Sequence, residues 1–181
     1  VKRLPIWRNT LQTIEHFTNT YLKGYSSTGT SSDFDQHHER YILNKYRGLL
    51  ETAGQAEQLS LLYKEEPVVV KSNLAHLETD AFWQNGTKNL LKAVSLDLKS
   101  EEGIENKALI ISKKLELLSN QLVQNNQRVD LLLSTPQNQK FRNVYHSAQQ
   151  ILKATNAPHK VVDESAYKGY IKEFWRTAVQ I

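Results

Sequence analysis

The chain has no cysteine and no methionine, and only four prolines and seven glycines among its 181 residues. Without cysteine there can be no disulfide, thiolate zinc site or cysteine nucleophile. That absence suits a cytoplasmic or other reducing compartment, with a place at the periphery of a membrane still open. Methionine is missing even at position 1, so we expect a piece of a longer protein. The apolar runs are short, among them Val68 to Val70 and Leu131 to Leu133. Neither approaches the roughly 20 residues that cross a bilayer, so no transmembrane segment is expected. Val1 to Pro5 carries no apolar core of the signal-peptide kind.

Catalytic signatures are scarce as well. No GxSxG elbow occurs. Gly24 and Gly29 are followed by no lysine and come after a helical stripe, so they do not form a phosphate-cradling loop. No His-Asp dipeptide is present. The densest polar cluster is Asp33, Asp35, His37, His38 and Glu39. Asp33 with His37, and Asp35 with His38 or Glu39, have the three- or four-residue spacing that puts metal ligands on one helical face. His38-Glu39 opens a zinc-protease motif, but Ile42 stands where the second histidine is needed. Acidic residues favour a helix N-terminus through its dipole, which explains the cluster without a metal. The doublets Glu65-Glu66 and Glu101-Glu102 need no catalytic role either, the second following a capping Ser100. We therefore assign no catalytic residue, metal or cofactor. The residues favour a non-enzymatic protein, with an enzyme whose site assembles near Asp33–Glu39 as the second alternative.

What is present is ordinary globular composition, 39% hydrophobic and 23% charged, with helical periodicity. Trp7, Leu11, Ile14, Phe17 and Tyr21 form one stripe, followed by the polar loop Gly24–Ser32. A second helix is capped at Ser32 or Asp33 and runs to Gly54, and a shorter one carries Leu59 and Leu62. Val68–Val70 is β-branched but lacks a second convincing strand, so it reads as an extended connector. Leu74 to Trp83, and the segment carrying Leu90 to Leu98, read as helices. From Ile104 through Ala108, Ile111, Leu115, Leu118, Leu122, Asn125 and Val129 to Leu132 the steps alternate four and three. That predicts one heptad-patterned helix over Ser100–Ser134, with Asn125 as a kink or polar pin. Pro136 opens a helix with Phe141, Val144, Tyr145, Ala148, Ile151 and Leu152, and Asp163 caps a last one. The expected fold is an all-α, irregular bundle of six to eight helices around the 100–134 spine. It forms one domain over 1–181, with a sub-division near 64–73 separating 1–63 from 74–181 as the alternative.

Charge is distributed unevenly. Val1–Leu133 holds sixteen basic and sixteen acidic residues, whereas Ser134–Ile181 holds seven against three. Lys168, Lys172 and Arg176 recur every four residues beside Trp175, and Lys140 and Arg142 join them if the last two helices are neighbours. Lys140, Arg142, Lys168, Lys172, Trp175 and Arg176 are therefore the candidate contacts for an anionic partner. A protein is the favoured partner. An anionic membrane or phosphoinositide surface is the alternative, with nucleic acid behind it.

Overall fold

The structure, a computed structural model, describes residues 33–54 and 56–178. The chain divides into two compact units, 1–34 and 35–181, and everything below concerns the second. The Trp7–Tyr21 stripe and the Gly24–Ser32 loop lie outside the described residues. Among those described, the helices are α1 (Asp33–Ala53), α2 (Ala56–Leu62), α3 (Glu101–Gln124), α4 (Arg142–Lys153) and α5 (Tyr167–Ala178). The strands are β1 (Tyr63–Lys64), β2 (Val68–Lys71), β3 (His76–Thr79), β4 (Ala81–Gln84), β5 (Lys88–Val94), β6 (Gln127–Leu133) and β7 (His159–Val162).

The all-α bundle is therefore wrong. The domain is an α/β layered fold on a five-stranded mixed sheet of order β1-β4-β5-β6-β7, with β2 and β3 pairing as a separate hairpin. β1, β4 and β5 are antiparallel neighbours, while β5, β6 and β7 run parallel. Helix α3 carries the chain from β5 to β6, and α4 carries it from β6 to β7. Parallel crossovers are right-handed, so two successive ones stepping the same way lie on the same face. They do so here. Leu90, Val94, Val129, Leu131 and Leu133 pack with Ile104, Leu115 and Leu118 of α3 and Val144 and Leu152 of α4. The opposite face places Leu91, Ala93, Leu132 and Val162 against Ile42, Tyr46 and Leu50 of α1 and Tyr167, Tyr170 and Phe174 of α5.

The predicted 100–134 helix holds only to Gln124. Ser100 Oγ accepts from Gly103 N at its start, and Asn125 is its C-cap. Asn126 then takes φ 50°, a left-handed conformation that asparagine tolerates, and its side-chain amide donates to Gly86 O at 2.8 Å. Beyond it the chain is strand. Val129 faces α3 and Leu132 faces α1 and α5, so the last two heptad positions point to opposite sides of the sheet. The Leu74–Trp83 and Leu90–Leu98 segments are not helices either: β3 and β4 take up most of the first, and β5 the second as far as Val94. Val68–Val70 is no lone connector but β2, with Val69 opposite Glu78 and Val70 opposite Leu77.

Candidate interaction site

Helix α5 begins where Asp163 caps a short 3-10 turn, Glu164–Ala166, its side chain accepting from Ser165 N at 2.9 Å. Tyr167, Tyr170, Ile171 and Phe174 recur at helical spacing and are buried against the sheet. The complementary face is exposed and carries Lys168, Lys172 and Arg176, none of which has an ion-pair partner among the described residues. The other charged groups of this region are engaged: Glu173 with Lys160 at 2.6 Å, and Glu164 with Lys45 at 2.5 Å.

Beside this basic row, α1 and α5 leave a groove of about 220 Å³ between them. Leu49, Thr52, Ala53 and Ile171 form its walls, and Lys168 and Lys172 stand at it. An apolar trough bordered by ammonium groups can receive an apolar side chain and hold carboxylates at its rim.

Trp175 is half-buried rather than displayed. Its ring makes an edge contact with Phe174 at 5.1 Å and lies so close to Gly54 that a Cβ there would fall 2.0 Å from it. Its Nε1 is buried without a partner among the described residues. Lys140 and Arg142 do not join the α5 row, because α4 packs on the opposite face of the sheet. Lys140 lies over the Phe141 ring at 5.2 Å, and Arg142 opens α4 with an exposed side chain. The six candidate contacts are thus split between two layers.

In the Asp33–Glu39 cluster, Glu39 pairs with Lys107 at 3.2 Å, and the side chains of residues 33–38 lie outside those described. No group of three or more metal-ligating side chains forms among the described residues, and none of their helices is long and apolar enough to cross a membrane. Glu65 is engaged by Arg47 at 2.9 Å.

The sequence reading missed a polar network inside the second core. Asp130, in the middle of β6, is wholly buried. It accepts from Arg128 Nε and Nη2 at 2.7 and 2.9 Å, and from the Tyr170 hydroxyl, which in turn accepts from Trp83 Nε1 at 3.2 Å. Burial raises the Asp130 carboxyl above its ordinary value even though the Arg128 guanidinium pulls the other way. Burial, with the nearby Asp130 charge, also keeps Tyr46 and Tyr170 protonated. The one visible signal was an acid interrupting Val129–Leu133, an apolar run. Asp80 is tied in a comparable way, accepting from Ala93 N at 2.8 Å and from Lys92 at 3.2 Å. Comparison with protein-family models, curated proteins and solved structures returns no match.

Proposed function

We propose that this domain is a non-enzymatic interaction module that engages an acidic protein segment through the groove between α1 and α5. One observation carries the reading: Lys168, Lys172 and Arg176 form an exposed basic row without ion-pair partners among the described residues, and the first two border an apolar trough. At about 30 Å³ per water-sized group, 220 Å³ holds on the order of seven non-hydrogen atoms. That is one large apolar side chain flanked by carboxylates, which favours an amphipathic acidic peptide over a lipid surface. The half-buried Trp175 supports the same choice, since membrane docking draws on exposed aromatic rings.

The test is fluorescence anisotropy with a labelled helical peptide carrying glutamates on one face and leucine and tryptophan on the other. Binding that weakens with salt, and is lost in Lys168→Glu/Lys172→Glu, is expected. Failure to bind at low salt, or equal binding by the double variant, refutes it. Phosphatidylserine vesicles run in parallel; binding to them and not to the peptide would move the reading to the membrane.

A further inference from the structure

β6 and β7 lie side by side and run parallel, yet the chain leaves their carboxyl ends in opposite directions. After Leu133 it turns through Thr135 and Pro136 to α4 on the first face of the sheet; after Val162 it turns through Asp163 to α5 on the second. Adjacent parallel strands with diverging loops leave a crevice between them, and open α/β sheets bind ligands in such crevices. Here it is a cavity of about 340 Å³ lined by both loops and the first half of α4, among them Thr135, Arg142, Tyr145, His146, Asp163 and Ser165.

We propose that this crevice is a binding site for a small hydroxylated anion, a phosphate ester or a hydroxycarboxylate, whose oxyanion is held by Arg142 and whose hydroxyl donates to His146. The chemistry of the walls leads to that class. The one carboxylate among these residues, Asp163, is saturated from within the wall. Its Oδ1 accepts from Ser165 N at 2.9 Å and Ser165 Oγ at 2.6 Å, while its Oδ2 accepts from the Tyr145 hydroxyl and from Gln149 Nε2 at 2.8 Å. Burial alone would raise this carboxyl. The bonds from Ser165, Tyr145 and Gln149 outweigh it and hold Asp163 ionised, below its ordinary value. Burial and the Asp163 charge push the Tyr145 hydroxyl up, so it stays a donor. Both are fixed framework, and neither is a ligand group or a base.

Arg142 and His146 remain. They stand one turn apart in the first half of α4, so they share a helix face. The guanidinium of Arg142 is exposed and has no partner among the described residues. It sits at the helix N-terminus, where the backbone dipole adds positive potential. A planar guanidinium grips phosphate or carboxylate through two parallel bonds. The role of His146 follows from the network. Because Asp163 can only accept, Gln149 must turn its amide nitrogen to it and its carbonyl oxygen to His146 Nδ1, 3.3 Å away. In the neutral imidazole Nδ1 then carries the proton, and Nε2 is an acceptor without a partner among the described residues. An anion for Arg142 and a hydroxyl for Nε2 complete the set. At about 30 Å³ per water-sized group, the cavity admits on the order of ten non-hydrogen atoms, which limits the ligand to one of small size.

The full chain, isotope-labelled, is titrated by amide NMR with glycerol 3-phosphate, malate, orthophosphate and glycerol. Glycerol 3-phosphate or malate should shift the amides of Thr135, Arg142 and Ser165, orthophosphate should do so more weakly, and glycerol should not. The tighter of the first two identifies the oxyanion as phosphate or carboxylate. Arg142→Gln, at an exposed position that leaves the fold intact, should weaken binding by about tenfold or more. Lys153→Gln, at the far end of the same helix, should leave it unchanged. His146→Phe should lower the better ligand to the level of orthophosphate by removing the acceptor for its hydroxyl. No shift of these amides at millimolar concentrations, or shifts that survive Arg142→Gln, overturns the proposal.

Discussion

Asp130→Ala is the substitution whose consequence the structure constrains most. The carboxylate is wholly buried and holds two bonds from Arg128 and one from Tyr170. Removing one partner of a buried pair costs about 3–5 kcal/mol, because the other charge is left uncompensated. The Arg128 side chain is 30% exposed and can turn toward water, so the loss should fall near about 3 kcal/mol. For a domain of this size that lowers Tm by about 6–12 °C. Arg128→Leu should cost at least as much, since Asp130 has no route to solvent. The double variant Arg128→Leu/Asp130→Ala is the sharper test. Burial raises the Asp130 carboxyl despite its arginine, while the bonds to Asp130 raise Arg128 against its own burial, so desolvation of the acid offsets part of the attraction of the pair. Replacing both charges with apolar groups should therefore cost much less than the two single losses combined, with a coupling above about 1.5 kcal/mol. The assay is urea unfolding of the three variants. Additivity within about 0.5 kcal/mol would refute the reasoning.

Gly54→Ala should destabilise by about 1–3 kcal/mol through overpacking, because the new Cβ would fall 2.0 Å from the Trp175 ring; thermal unfolding checks it. Ser100→Ala should cost about 1 kcal/mol by removing the acceptor for Gly103 N at the start of α3, again read from denaturant unfolding. Asp163 has a lowered folded value, so it contributes stability above the ordinary carboxylate range and loses it as pH falls through that folded value. Asp163→Asn should therefore flatten the acid limb of the stability–pH curve, and an unchanged limb would contradict its place in the network. Asp130 has the opposite sign. Its raised value means that its contribution declines as pH climbs from the ordinary carboxylate range through the folded one.

The sequence was legible where one face of an element meets solvent. α1, α4 and the first two-thirds of the long heptad segment show helical stripes with polar backs, and they are helices. It misled where an element is covered on both sides. β5 and β6 are sandwiched between helical layers, and such strands read as near-continuous apolar runs without alternation. Leu90, Leu91 and Val94 therefore passed for a helical stripe. Val129 and Leu132 fell by chance on a heptad that had been genuine as far as Leu122. Asn125-Asn126 marked the break, since paired asparagines favour a left-handed residue over a continued helix. The basic row on α5 was visible because periodicity alone places it. The crevice was not, because it joins Arg142 and His146 to Asp163 and Ser165 through a parallel pairing of β6 and β7 that no local pattern encodes. Arg142 was singled out for its charge, in company with α5 residues that the sheet separates from it.

The parallel registration of β6 between β5 and β7 underlies both the layered core and the crevice, and backbone NMR tests it directly. The register sets Leu91 beside Asp130 and Asp130 beside Lys160. Cross-strand nuclear Overhauser effects between these neighbours are expected, together with slow amide exchange through Val129–Leu133. Sequential amide–amide and i to i+3 helical connectivities running unbroken from Gln124 through Leu133 would contradict the fold, and the crevice would go with it.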